Sequence, residues 1–369
     1  MILLSISSNQ QRTGGYRYNG NIARELAVVP GFSYILEKKE LVSSPRRIQE
    51  YTSSGKLLIL DSIVFAYPEL LQAIITQLAN QESDRFVLLL HWLPWVEAQK
   101  LREEAYLEHE HFPADTVTPV PVPEGRALDT LGQFSRFIVS SRYSSGYLQS
   151  LGIESERICE AVPGLDRRLF TEHGADAGAL FPGTERDHDN VFRFATVSHW
   201  TPVKGIHRLL PLFKKLSDCN WEWHAVGDSN CHTAYGKNIL QEICSSSYRD
   251  RCILHGALPA DFAWRIVKDC NCLLLPSLFE TYGMAAAEST ALGVPVIAMD
   301  TGGVAEAVRD GSDGILCKTT DVFRKTVREA AVNPEILPSP DRCCGNRKEQ
   351  TWKRTAAIIR SFLLGERKN

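Results

Sequence analysis

The sequence predicts an α/β protein built as two domains of similar size, and three observations carry that expectation. Short apolar runs suited to buried parallel strands recur with longer amphipathic stretches between them. The alternation halts in one polar segment and then restarts. The chain has 369 residues, 44% of them hydrophobic and 23% charged, enough to fill two domain cores.

In the first series, Ile2 to Leu4, Phe32 to Leu36, Leu57 to Leu60, Phe86 to Leu90 and Phe137 to Val139 read as strands. Each is continuously apolar, as a strand must be when helices cover both faces of its sheet. Thr13-Gly14-Gly15-Tyr16 reads as a glycine turn between the first strand and a helix from about Asn19 to Val28. That places two glycines at the carboxyl end of a strand, where open α/β sheets bind ligands. His91 ends the run Phe86 to Leu90 and occupies an equivalent strand end, followed by Trp92 and Trp95, which are expected to pack.

The first domain thus covers residues 1–165. Residues 166–190, rich in Gly, Asp, Glu and Arg and lacking either periodicity, form the linker. The second domain, residues 191–345, repeats the pattern with strands at Phe192 to Val197, Trp223 to Val226, Cys252 to Leu254, Cys270 to Leu275 and Val294 to Met299. The remainder, 346–369, carries Trp352, Ala356, Ile359, Phe362 and Leu363 at helical spacing and is expected to pack back on the body. Its Lys and Arg residues suit an alternative reading as a basic helix lying on an anionic membrane surface.

Composition excludes several classes. Lys plus Arg number 41 against 44 Asp plus Glu, a net charge of −3, too balanced to neutralise a row of nucleic-acid phosphates. The most apolar stretch, Phe86 to Val96, is too short for the about 20 residues a membrane span needs. The opening MILLSISSNQQ has no basic region ahead of its apolar residues and reads as a strand, not a secretion signal. All ten cysteines lie at or beyond Cys159 without CxxC or zinc spacing, so reduced thiols and a cytoplasmic location are expected, with the inner membrane face as the peripheral alternative.

The chemistry concentrates between Leu273 and Val308, which reads as strand, loop, helix, strand and a Gly-Gly turn. Gly283 lets the backbone approach a ligand, and the first-turn amides around Tyr282, Met284 and Ala285 point at any anion there. Glu280 precedes this helix and Glu288 lies eight positions on, about 12 Å away at helical rise, the scale of a sugar-diphosphate-ribose unit. Glu288 sits among Ala285-Ala286-Ala287 and Ala291-Leu292-Gly293. So apolar a setting is unlike that of a water-facing glutamate and calls for a hydrogen-bonding partner.

The segment with Pro276-Ser277 and Glu280 to Glu288 resembles the donor-site signature of the family-four retaining glycosyltransferases. The resemblance extends to the strand and basic loop from Phe194 to Lys204-Gly205, the turn Ala225-Val226-Gly227-Asp228, and the passage from Val139 to Asp166. It covers the chain from about Phe137 onward and implies two Rossmann-like domains facing across a cleft, the GT-B architecture. By the same resemblance Glu280 holds the donor sugar, Glu288 the ribose, and Lys204 with the Gly283 to Ala285 amides the diphosphate. Gly14 and Gly15 fall beside donor phosphate and acceptor, His91 near the transferred sugar, and Glu306 after Gly302-Gly303 is a lesser donor contact.

The family's basic loop usually carries Arg five residues before the lysine; here His199 stands there. An imidazole cannot make a guanidinium's bidentate contact. Asp187-His188-Asp189 spells the metal-binding DxD of the other major glycosyltransferase fold, but in the linker segment it lacks the ordered strand end such carboxylates need. The expectation is therefore a metal-independent, retaining hexosyltransferase without a cofactor. It would move sugar from a nucleotide diphosphate donor to a glycan, lipid or small-molecule acceptor held by the first domain, with no nucleic-acid partner. Two other readings stay open: a pseudo-glycosyltransferase or glycan-binding protein of the same fold, and a glycoside phosphorylase or nucleotide-sugar epimerase.

Overall fold

A computed structural model describes residues 1–7, 14–38, 50, 55–67, 71–72, 74–76, 85–107, 129–170, 191–344 and 347–365. Among them are two six-stranded, wholly parallel sheets. The first contains β1 (Ile2–Ser7), β2 (Ser33–Lys38), β3 (Leu58–Asp61), β4 (Phe86–Leu90), β5 (Arg136–Val139) and β6 (Ile158–Glu160), ordered β2-β1-β3-β4-β5-β6. The second contains β7 (Phe192–Val197), β8 (Trp221–Val226), β9 (Cys252–Gly256), β10 (Cys272–Leu275), β11 (Val296–Met299) and β12 (Gly314–Cys317), ordered β12-β11-β10-β7-β8-β9. In each sheet the strand order reverses beside the strand that begins it: between β1 and β3, and between β7 and β10. Doubly wound sheets bind ligands at such a switch point, outside the strands' carboxyl ends.

The central strands are those the apolar runs announce: β3, β4, β10 and β11 are buried at every position. The two strands absent from the sequence reading, β6 and β12, lie at sheet edges and are buried at only part of their length. An edge strand need not be uniformly apolar, so the run that would have marked it is missing.

The helix after β1 also differs from expectation. Helix α1 runs Gly14–Leu26, so Gly14 and Gly15 lie inside its first turn and not in a loop ahead of Asn19. Thr13 lies outside the described residues, as do Asp187-His188-Asp189 and the linker from 171 to 190.

Packing divides the chain into two units: residues 1–98, 119–164 and 350–369 in one, and 99–118 with 165–349 in the other. The C-terminal helix, Trp352–Leu364, belongs to the first. Its Ala356, Ile359 and Leu363 join Tyr18, Ile22 and Leu26 of α1 and the sheet residues Leu3, Ile59, Val87 and Ile138 in one core. Trp352 meets the Tyr18 ring edge-on at 5.5 Å. The helix therefore packs on the body, and its apolar face is occupied by protein. No helix among the described residues is long and apolar enough to cross a membrane.

Candidate active site

In the second unit, the loop after β7 and the loop after β10 are packed together at the switch point. The Leu278 N–H donates to Val203 O at 2.8 Å, and Gly205, at φ +67°, brings its Cα so close to the Pro276 carbonyl that a Cβ would lie 2.2 Å from the oxygen. Only glycine fits that conformation and that gap. The contact delivers Lys204 to the β10 loop. Its Nζ lies 2.8 Å from Glu280 Oε1, and Ser277 Oγ donates to the same oxygen at 2.8 Å. Lys204 keeps 30% of its side chain exposed and Glu280 13%, so the pair is covered without being sealed.

Two neighbouring turns fix the Glu280 backbone. Thr301 Oγ1 donates to Leu278 O at 2.8 Å, and the Gly303 N–H donates to Glu280 O at 2.9 Å. Glu306 follows in the short helix Val304–Ala307, half-buried, one turn beyond that clamp. The helix after β10 runs Met284–Ala291, with Gly283 as its left-handed N-cap and no side chain capping it. The first-turn amides, Met284 and Ala285 among them, have no carbonyl one turn back to bond, which makes the end electropositive.

Glu288 lies within this helix, 7% exposed. The partner its apolar setting called for is Trp264, on the helix Ala260–Lys268, whose indole N–H donates to Glu288 Oε2 at 2.9 Å. His199 closes the β7 side. The Asp228 amide donates to His199 Nδ1 at 3.2 Å, so the proton of the neutral imidazole sits on Nε2, and the ring is a donor at that edge.

The loop after β10 has a second brace, deeper in the unit. Arg208 donates from Nη1 to Pro276 O at 3.1 Å, while its Nε and Nη2 both bond Glu104 at 2.6 Å. His207 adds a 2.9 Å contact to the same carboxylate through Nε2 and meets the Tyr235 hydroxyl through Nδ1. Burial pushes the Glu104 carboxyl up, but its bonds to His207 and Arg208 outweigh that and hold it at about 2.

In the first unit the switch point gathers Gly15, His91 and a residue the sequence did not single out, Asp61. His91 Nε2 lies 2.9 Å from Asp61 Oδ1. Gly15 faces the imidazole so closely that a Cβ would lie 2.5 Å from His91 Cε1 and 2.8 Å from Nδ1. A side chain at position 15 would displace the ring. Ser62 Oγ accepts from the amides of His91 and Trp92, fixing the turn that carries them. Trp95 is buried edge-on against Phe65, and the Trp92 indole donates to Glu97 at 2.9 Å, which leaves both as packing residues.

Two comparisons of sequence bear on this arrangement. Residues 184–348 match the family described as Glycosyl transferases group 1. D-inositol 3-phosphate glycosyltransferase of Mycolicibacterium smegmatis is 27% identical over 206 residues, which are 55% of this chain and 46% of that one. An uncharacterized glycosyltransferase of Methanocaldococcus jannaschii is 29% identical over 142 residues, 38% of each chain. The chain spans about half the length of the first of these relatives and less of the second.

Among solved structures, sucrose-phosphate synthase from Thermosynechococcus elongatus superposes with a TM-score of 0.76 at 17% identity, covering 99% of this chain and 98% of that one. Anabaena HepE in complex with UDP and glucose gives a TM-score of 0.70, also at 17% identity, over 99% and 100%. At such identity the likeness is one of fold. The two-sheet architecture is that of GT-B glycosyltransferases.

Proposed function

We propose that the chain, whose residues 184–348 match the glycosyl transferases group 1 family, transfers a sugar, with retention and without a metal, from a nucleotide diphosphate sugar to a hydroxyl acceptor. The observation that carries this reading is the assembly of Lys204, Ser277 and Glu280 at the carboxyl ends of β7 and β10, beside the uncapped helix start at Gly283. A cation and a ring of backbone amides suit a diphosphate, and a carboxylate next to them suits sugar hydroxyls.

In this reading Lys204 and the Met284 and Ala285 amides neutralise the leaving diphosphate. Glu280 orients the sugar, Glu288 accepts from the ribose hydroxyls, and Glu306 lies at the margin. His199 donates to a phosphate oxygen through Nε2. No protein nucleophile is needed if the departing phosphate oxygen takes the acceptor proton on the face it leaves, so the protein's work is orientation and charge stabilisation. The first unit, with His91 and the first turn of α1 at Gly14 and Gly15, supplies the acceptor side.

The relatives suggest where to begin. HepE has been solved in complex with UDP-glucose, which makes uridine donors the first to test. The inositol-phosphate glycosyltransferases make phosphorylated polyols the first acceptor class. The deciding experiment is a panel of nucleotide sugars read by thermal shift and by slow donor hydrolysis, since a ligand bound only by the native state raises its melting point. A stabilising donor that is hydrolysed or transferred with its anomeric configuration kept supports the proposal. Turnover that requires inorganic phosphate would instead indicate a phosphorylase, and binding of every sugar without turnover a pseudoenzyme.

A further inference from the structure

We propose that Asp61 is a positioning residue for sugar transfer: it grips His91 at Nε2 and holds the Nδ1–Cε1 edge of that ring against Gly15. The inference rests on the reading of His91 as a group on the acceptor side of the transfer.

Asp61 ends the apolar strand β3 and is 1% exposed, where a carboxylate is costly unless its oxygens are filled. Both are filled, from four elements. Oδ2 accepts from Ser5 Oγ of β1 at 2.5 Å and from Asn19 Nδ2 of α1 at 2.6 Å. Oδ1 accepts from the Ile63 amide at 3.0 Å and faces His91 Nε2, beyond β4, at 2.9 Å. The three neutral donors fasten the carboxylate to its own sheet and helix. The fourth partner alone is titratable, and it alone leads to the proposed reaction.

The electrostatics run the same way. Burial opposes the imidazolium, but the Asp61 charge 2.9 Å away outweighs it and raises the His91 pKa above the ordinary histidine value. Burial likewise pushes Asp61 up, yet His91, Ser5 and the Ile63 amide hold it below the usual carboxylate range. Two phenols also face the pair. Tyr18 lies 6.4 Å from the His91 ring, with its hydroxyl bonded to Ala161 O and its pKa driven well up by burial. Tyr34, which also feels Asp61 and Tyr16, is pushed by burial to about 12. Both stay neutral around pH 7, so Asp61 supplies the charge that His91 answers. The Nε2 side of the ring faces the Asp61 carboxylate at 2.9 Å, and its Nδ1–Cε1 edge packs against Gly15.

The sign for catalysis follows. Activity that needs the imidazolium is full below the raised His91 pKa and is lost as pH rises through it. Asp61→Asn keeps the shape and an oxygen for Nε2 but removes the charge. It should move this alkaline limb to lower pH by about one unit and reduce turnover at pH 8 about tenfold, with the donor KM little changed. In a His91→Gln background, Asp61→Asn should cost nothing further, because the two act as one unit.

An unmoved alkaline limb, or an equal further loss in the double variant, would overturn the proposal. If Asp61→Asn fails to fold, the test passes to the wild-type protein. The His91 Cε1 proton, assigned by its absence in His91→Gln, should titrate by NMR with a midpoint above 6.5. A midpoint at or below that value overturns the grip. The titration requires no glycosyl transfer, so a protein that turns over no nucleotide sugar refutes the function while this measurement still decides the Asp61–His91 pair.

Discussion

Lys204 and Glu280, 76 positions apart, meet in a 2.8 Å ion pair that Ser277 completes. The pair is partly exposed, so its own contribution to stability is small. Each charge is held where the other balances it, and in the proposed reaction a diphosphate arriving at Lys204 competes with Glu280 for the same ammonium. If Lys204 is the diphosphate cation, as proposed, it is oriented before any ligand arrives.

Glu280→Gln should separate binding from turnover. Without the carboxylate, the full Lys204 charge is available to the diphosphate, so nucleoside diphosphate affinity should hold or tighten. Turnover should fall, because the carboxylate proposed to orient the sugar in the transition state is lost. Calorimetry with UDP beside steady-state rates checks this. A parallel loss of affinity would show that Glu280 serves ground-state binding.

Glu288→Ala should weaken binding of nucleotide and nucleotide sugar alike, by about 1 to 3 kcal/mol, because the ribose hydroxyls lose their proposed acceptor and the Trp264 indole N–H is left buried without one. Trp264→Phe keeps the carboxylate and removes only its brace, so it should cost a fraction of that. Equal donor affinity in Glu288→Ala and wild type would exclude the ribose role.

Much of this architecture is legible in the sequence, for a physical reason. Strands buried on both faces must be apolar throughout, so Phe86 to Leu90 and Leu273 to Leu275 stand out unaided. The edge strands Ile158–Glu160 and Gly314–Cys317 carry no such mark. Gly14 and Gly15 read as a turn because glycine is a poor helix former. They are helical here, and at Gly15 the space beside the His91 ring permits nothing larger. The spacing around Glu280 and Glu288 draws the eye to each residue singly. It is silent on Lys204 meeting Glu280, on Trp264 under Glu288 and on Asp61 beneath His91, since all three are tertiary contacts between residues of ordinary local context.

Acid should loosen the second unit through Glu104. Its carboxyl is held at about 2 against an ordinary 4.5, so its stabilisation is full above the ordinary value and is lost as pH falls from there toward 2. Glu104→Gln should therefore lower the melting temperature most near neutral pH, and the gap from wild type should close below about pH 4.5. A gap that stays constant with pH would mean that the Arg208 and His207 contacts stabilise by packing alone.

Millimolar EDTA should leave transfer intact, since the proposed counter-charges are Lys204 and helix amides. Loss of activity restored by manganese would replace that account with a metal-assisted one.

His199 offers the sharpest dissection, because its two nitrogens have separate tasks. Nδ1 accepts the Asp228 amide and braces the turn; Nε2–H is the edge proposed to meet a phosphate. Asparagine places its amide near the Nδ1 position and glutamine near Nε2. His199→Asn should therefore keep the melting temperature and lose donor affinity, whereas His199→Gln should keep affinity at some cost in stability. His199→Arg supplies the cation that the family resemblance leads one to expect, so nucleotide diphosphate binding should tighten. Guanidinium cannot accept a hydrogen bond, so the Asp228 amide loses its partner and stability should drop by about 1 to 3 kcal/mol. Melting curves and UDP titrations of the three variants test the assignment together. An arginine variant with wild-type affinity, or an asparagine variant that binds donor normally, would show that His199 braces the turn without touching the diphosphate.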